Sequence, residues 1–260
     1  MDKVVGSAAE AVADVRDGAS LAVGGFGLSG VPEVLLNAVH ETGVGGLRVV
    51  SNNCGALDRG LAVLLAAGRI VRVTGSYIGA NKELARRYLA GELEVELIPQ
   101  GTLAERLRAG GAGIPAFYTP AGVGTQVADG GLPWRYDGAG GVAVASPPKE
   151  VREFDGRPHV LERGIRTDFG LVRAAKGDRH GNLVFAKSAR NFNPLAAMAG
   201  RLTVAEVEEL VEPGAIDPDQ VHLPGVFVQR VVALTPEQAA DKQIERRTVA
   251  VPGTAGRERR

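Results

Sequence analysis

The sequence predicts an α/β protein: a mostly parallel sheet flanked by helices and extended by antiparallel strands in the C-terminal half. Three observations carry that expectation. Short apolar runs alternate with helical patterns from Ser7 to Arg108, the mark of βαβ units. Glycine or proline stands at most joints between them. From Glu150 onward the pattern changes to paired strands.

The elements follow in order. Ser7 with Glu10 three residues later is a capping box, opening a helix that Gly18 stops. Ser20–Val23 is a short apolar strand that runs into the glycine loop Gly24–Gly30. Pro32 stands in the first turn of the next helix, where its missing N–H is harmless, and Glu33–Glu41 continues it to Gly43. Leu47–Val50 is a second strand. A helix from about Asp58 to Ala67 ends at Gly68, and Ile70–Thr74 is a third strand. Asn81–Leu89 reads as helix, Val95–Ile98 as strand and Thr102–Arg108 as helix. Gly110–Pro120 and Trp134–Pro148 are rich in Gly and Pro and read as loops, the second with a hairpin tip at Asp137–Gly141. Phe169–Lys176 and Leu183–Ala186 flank the turn Gly177–Gly181 as a hairpin. Leu195–Ala199 is helical, and Thr203–Val211 alternates as a strand does. With no fixed-period repeat and no long linker, one domain over residues 1–250 is expected, followed by a flexible tail, 251–260.

Composition narrows the function classes. Hydrophobic residues make up 45% and charged residues 23% of the 260, as in ordinary globular proteins. The 30 basic residues balance the 30 acidic ones, and aromatic residues are only 5%, so neither a field nor a stacking surface for nucleic acid is expected. The 36 glycines are roughly twice the usual share, which implies tight turns or backbone that something approaches closely. No run of about 18 apolar residues is present, so no membrane span is expected. Acidic residues early in the chain interrupt any apolar signal-peptide core. Cys54 is the single cysteine, which excludes an internal disulfide and fits a cytoplasmic setting. No His, Cys, Asp or Glu cluster has zinc-like spacing, so no metal is expected.

Gly25-Phe-Gly27-Leu-Ser-Gly30 matches G-x-G-x-x-G between a strand and a helix. Bare N–H groups at a helix start attract anions, and glycines let a ligand come close. A dinucleotide site also needs an acid after the second strand, to hold the ribose. That strand runs into Ser51-Asn52-Asn53-Cys54, and the next acid is Asp58. The fingerprint fails at its second element, which leaves an NAD-binding oxidoreductase as the alternative from another class and a packing turn as the plain reading.

A longer match surrounds the loop. Asp17-Gly18, the apolar Leu21-Ala22-Val23, Gly24-Gly25-Phe26, Gly30 and Pro32 resemble, in type and offset, the signature of family I CoA-transferases. Ser51-Asn-Asn-Cys-Gly55, Glu92–Arg106, Arg108–Pro120 and Lys187–Asn193 resemble the alpha part of the succinyl-CoA:3-ketoacid members, so the likeness covers most of the chain. It implies the family's chemistry, a ping-pong transfer of CoA between carboxylates through a glutamyl thioester, a form of covalent catalysis. CoA thioesters would be substrates, with no permanently bound cofactor. In the family that glutamate sits in a Ser-Glu-Asn-Gly motif on the beta part. This chain contains no such motif, so the resemblance implies a separate beta subunit that supplies it, in an α2β2 assembly.

The resemblance also suggests what this chain contributes. Gln100 matches the glutamine that faces the reacting carboxylate, and Asn52 and Asn53 follow a strand end where amides can donate to an acyl oxygen, unless they merely form the turn. CoA would pass over Gly24, Gly25, Phe26, Gly27, Leu28, Ser29 and Gly30. Gly111, Ala112 and Gly113 would line the substrate pocket, or simply permit the turn before Pro115. Cys54 stands where the family has alanine and has no histidine close in sequence, so it reads as a small buried thiol and not a nucleophile. For the substrates, Tyr77–Glu83 and Trp134–Pro148 side with succinyl-CoA and acetoacetate, whereas Pro224–Val232 resembles the 3-oxoadipate group.

Overall fold

Apolar runs too short for a helix, closed at both ends by glycine, become strands buried on both faces. The computed structural model, which describes residues 1–56, 58–79 and 81–242, shows how they are arranged. The first half runs α1 (Ala8–Ala11), β1 (Ser20–Val23), α2 (Glu33–Glu41), β2 (Leu47–Val50), α3 (Ala62–Ala66), β3 (Ile70–Gly75), α4 (Lys82–Leu89), β4 (Glu94–Leu97) and α5 (Gln100–Gly111). A middle stretch carries β5 (Ala116–Thr119), α6 (Gln126–Asp129), β6 (Pro133–Tyr136), β7 (Val142–Ala145), β8 (Val151–Phe154) and β9 (Arg157–Arg163). The remainder is β10 (Thr167–Asp178), β11 (Leu183–Val184), α7 (Asn193–Ala199), β12 (Gly200–Val211), β13 (Arg230–Ala233) and α8 (Pro236–Ala240).

The main sheet has the order β13-β12-β10-β1-β2-β3-β4, every neighbour in that path parallel, with β11 paired antiparallel to β10. Alternate side chains leave by opposite faces. Leu21 and Val23 of β1, Val49 of β2 and Leu171 of β10 pack with Leu35, Leu36 and Val39 of α2 and Leu64 and Leu65 of α3. Ala22, Val50 and Val172 face the other way, against Leu103 and Leu107 of α5 and Ala196 and Ala197 of α7. Two apolar layers therefore enclose one parallel sheet, as a βαβ reading requires.

The antiparallel strands are distributed differently from the expectation. The late strands β10, β12 and β13 extend the sheet in parallel, and most antiparallel pairing lies in two small sheets, β5-β9-β8 and β6-β7. Parts of the two expected loops are thus strands. Ala116–Thr119 is only half-buried and gains its identity from β9, more than 40 residues later, a pairing no local pattern reveals. The hairpin tip is where it was expected: Asp137 Oδ1 accepts from the N–H groups of Ala139 and Gly141. The turn between β10 and β11 likewise closes over Asp178–Asn182. The helix expected from Asp58 starts only at Ala62, because Gly60 at φ +64° breaks the first turn. The tail, 251–260, lies outside the described residues.

One buried acid ties the two halves of the sheet together. Glu206 of β12 is 0% exposed, and its Oε2 accepts from Leu35 N at 2.9 Å in the first turn of α2. Its Oε1 makes no hydrogen bond and lies 3.6 Å from Arg173 Nη1 on β10. The first turn of α2 thus finds an acceptor for one of its free N–H groups inside the protein. Burial pushes the Glu206 carboxyl up to about 8, against the pull of the Leu35 N–H and Arg173. A folded pKa above the ordinary 4.5 means the unfolded chain gives up this proton first. Stability from this group therefore declines as pH rises between about 4.5 and 8 and then levels off. Glu206→Gln should flatten that decline. Thermal melts of both proteins across the window check it, and parallel slopes would count against a neutral Glu206.

Candidate active-site cleft

The strand order turns at β1. The chain moves outward through β2, β3 and β4 on one side, then returns to build β10, β12 and β13 on the other. In open α/β sheets ligands bind beyond the carboxyl ends of the strands, at such a switch point. Four loops meet there. Phe26, Gly27 and Leu28 follow β1, Asn52 and Asn53 follow β2, Ser76 and Tyr77 follow β3, and Gln100 follows β4. Together they line an open cleft of about 530 Å³.

The glycine loop is a tight hairpin. Phe26 N donates to Ser29 O at 2.9 Å and Ser29 N to Phe26 O at 3.0 Å, with Gly27 and Leu28 at the tip. Its glycines do two different jobs. A methyl group on Gly24 would stand 2.0 Å from Asn193 Oδ1, and one on Gly30 would stand 2.4 Å from Ala189 Cβ. Gly25 has φ +116°, and its added methyl would meet Val31 Cγ2 at 2.8 Å. These three face protein. Gly27 alone of the four, at φ +61° with nothing within 4 Å of an added methyl, faces open space. Ser29 is buried. Of the seven residues assigned to CoA in sequence, the cleft therefore receives Phe26, Gly27 and Leu28.

Asn193 holds the loop in place. It is 0% exposed, and its Nδ2 donates to Gly30 O and Ala189 O, each at 2.9 Å. Its Oδ1 accepts from Arg173 N at 3.0 Å, and Phe192 beside it stacks on Phe26. The dinucleotide reading fails here as well, since α2 already has the carboxyl of Glu206 at its N-terminus.

The amide residues form one cluster. Gln100 Nε2 donates to Asn52 Oδ1 at 2.7 Å, and Ser76 Oγ lies 3.0 Å from the same oxygen. Asn53 Nδ2 donates to Gly27 O at 3.2 Å, while its Oδ1 accepts from Gly55 N at 3.1 Å. Asn53 thus builds the turn and ties it to the glycine loop. Helix α5 begins at Gln100, two residues ahead of the expected start, which sets Gln100 in the first turn at the cleft's rim. Among the described residues, no charged one lines the cleft. Glu33 turns away, its Oε2 accepting from Gly60 N at 2.9 Å.

Gly111, Ala112 and Gly113 do not join the cleft. They end α5, about 16 Å along its axis from Gln100. Ile114 N donates to Ala109 O and Gly113 N to Gly110 O, with Gly113 at φ +77°, a Schellman ending. Gly111 lets Met198 of α7 approach, since a methyl there would stand 2.5 Å from its Cβ. Helix packing at Gly111 and the helix ending at Gly113 involve the run. Cys54 is 1% exposed, and burial pushes its thiol up to about 12, so it is a packed thiol. Among the described residues no group of three or more His, Cys, Asp or Glu could hold a metal ion.

Sequence reasoning missed Ser76 and took Tyr77 only as part of a segment bearing on substrate, not as a cleft residue. Both stand just past a strand end, the position that draws attention to Asn52 and Gln100. It also passed over Asn193, visible only as the end of a motif.

A family model described as Coenzyme A transferase matches residues 5–234. One subunit of a probable succinyl-CoA:3-ketoacid coenzyme A transferase of Mycobacterium tuberculosis is 69% identical over 249 residues, 96% of this chain and 99% of that one. The mitochondrial succinyl-CoA:3-ketoacid coenzyme A transferase 2 of Homo sapiens is 52% identical over 96% of this chain, which spans 48% of the human one. An acyl-CoA transferase from E. coli O157:H7, solved as a thioester complex with CoA, shares the fold with a TM-score of 0.76 at 23% identity. The match covers 93% of this chain and 50% of that one. An open parallel sheet with a donor-lined cleft at its switch point is the class that fold and site define. The chain belongs to the coenzyme A transferase family.

The glycines give a direct test. Gly25→Ala should lower the melting temperature and leave steady-state kinetics of the assembled enzyme close to normal, because its methyl points at Val31. Gly27→Ala costs about 1 kcal/mol for its positive φ, and its methyl should also disturb KM or kcat. Reversed effects would place the ligand on the other side of the loop.

Proposed function

We propose that this chain is the alpha subunit of a 3-oxoacid CoA-transferase that moves CoA from succinyl-CoA to acetoacetate, with the nucleophilic glutamate supplied by a beta subunit. The observation that carries this reading is the make-up of the cleft, whose described residues offer amides and hydroxyls but no carboxylate or thiol. Such a wall can hold an acyl group and stabilise an oxyanion, but it cannot attack a thioester. The M. tuberculosis relative is named as one subunit of its enzyme, and the human one spans about twice this length, as expected if two parts make one enzyme.

In this reading the partner's glutamate carboxylate attacks the succinyl thioester carbon and CoA thiolate leaves, giving a mixed anhydride. The thiolate then attacks the glutamyl carbonyl, releasing succinate and leaving CoA as an enzyme thioester. Acetoacetate takes the place of succinate and the steps run in reverse, ending in acetoacetyl-CoA and a free glutamate. Each addition puts negative charge on a carbonyl oxygen. Asn52 and Gln100, hydrogen-bonded to each other at the cleft wall, supply N–H groups toward it, and one such donor removed from other enzymes costs about 10²–10³ in kcat. CoA thioesters enter as substrates, no cofactor stays bound, and the lone buried cysteine suits the reducing cytoplasm we assign to it.

Tyr77 supports acetoacetate over 3-oxoadipate. Of the segments bearing on substrate, only that one lines the cleft. Trp134 lies under Arg72, 4.9 Å from its guanidinium, and Pro224–Val232 leads into β13 at the sheet's edge.

Two measurements test the proposal. The purified chain should form no acetoacetyl-CoA from succinyl-CoA and acetoacetate, and activity should appear on adding the beta partner. Turnover by this chain alone, at a rate comparable with the pair, would end the split-site reading. In the assembled enzyme Gln100→Ala should lower kcat by about 10-fold or more with assembly intact. An unchanged kcat would reduce Gln100 to a loop residue.

A further inference from the structure

We infer that Ser76 is a positioning residue for the transfer: together with Gln100 it fixes the Asn52 carboxamide so that Nδ2–H faces the acyl oxygen. This rests on the CoA-transferase reading of the cleft and goes beyond it by assigning the orientation of the donor.

Asn52 is only 4% exposed yet forms part of the cleft wall. An asparagine amide turns easily about its last torsion, and its two orientations are nearly equivalent in shape. They are opposite in effect. With Nδ2 toward the cleft, Asn52 donates to a developing oxyanion; with Oδ1 there, it repels one. The neighbours decide between them. Gln100 Nε2 donates to Oδ1 at 2.7 Å, and Ser76 Oγ stands 3.0 Å from Oδ1 and 3.0 Å from the Asn52 carbonyl oxygen. Flipping the amide would bring Nδ2 against the Gln100 amide nitrogen.

Gln100 alone is a weak lock. Its residue is exposed, and its own amide can turn and accept where it now donates. Ser76 is half-buried and is tied to Asn52 through its backbone as well, its N–H donating to Asn52 O at 3.2 Å. Tyr77 N donates to that same carbonyl at 3.2 Å. That carbonyl already takes two N–H groups, which leaves the single Ser76 Oγ–H for Oδ1, and a proton aimed there also polarises the amide, which strengthens its N–H as a donor. Oδ1 has both its acceptor places filled, so what Asn52 offers a substrate is Nδ2.

The test uses the assembled two-subunit enzyme with succinyl-CoA and acetoacetate. Ser76→Ala should lower kcat by about 10-fold, with KM for either substrate and the melting temperature nearly unchanged, because the lost effect matters most in the transition state. Ser76→Thr keeps the hydroxyl and should restore most of kcat. Ser76→Ala combined with Gln100→Ala should lose little more than Gln100→Ala alone, as for groups that act as one unit. A normal kcat in Ser76→Ala, additive losses in the double variant, or no recovery with threonine would each overturn the assignment. A wild-type complex that transfers no CoA overturns the underlying reading instead. An active wild type with an indifferent Ser76→Ala leaves that reading standing and removes this one.

Discussion

The site depends on how closely a loop of glycines can sit against one buried asparagine. Asn193 holds the Gly30 carbonyl from one side and leaves no room for a side chain at Gly24 on the other. Because Asn193 also receives the Arg173 N–H, the position of the loop is set by β10 and α7, elements far from it in sequence. Glu206 repeats the arrangement one step further on, reaching from β12 to the start of α2. The loop is therefore gripped at its beginning, at its end and at the helix that follows. Of the loop, only its tip, Phe26 to Leu28, lines the cleft. A fully buried amide with three satisfied hydrogen bonds is a strong constraint of this kind, since losing any partner strands a polar group.

The parallel half of the fold was legible because its signals are local. Each short apolar run ends at a glycine or a cap that belongs to the same 20 residues or so, and the strands β1 to β4 fall within a residue or two of their expected limits. The small sheets were not legible. β5 and β6 carry Gly and Pro at their borders and are only partly buried, so nothing along the chain distinguishes them from loops. Their identity is in partners elsewhere. The late strands were seen as strands but not as parallel ones, because direction is decided by the α7 crossover and no strand pattern encodes it.

For the site, the same rule explains what was found and what was not. Asn52, Asn53 and Gln100 stood out as amides just after strand ends, and they do meet. Gly111 to Gly113 stood out only as glycines, and a glycine run has two readings that spacing cannot separate: space for a ligand, or space for a neighbouring helix. Here Met198 and a Schellman ending explain it. Ser76 holds an equally good position, but a serine past a strand is too common to draw notice alone, and Tyr77 entered only through the likeness of its segment.

The glycines at the end of α5 give that helix a property of their own. Gly110 touches the carbonyl of Ile165 so closely that a methyl there would stand 1.9 Å away, and Gly111 seats on Met198. Contacts that tight stop the helix from sliding, so α5 behaves as a strut whose foot is wedged in the body of the protein and whose head carries Gln100. A side chain added at the foot must push α5 off Ile165 or Met198. The disturbance would surface at the head, beside Asn52, about 16 Å away. A substitution at Gly110 or Gly111 would thus bear on the rim of the cleft although neither residue lines it.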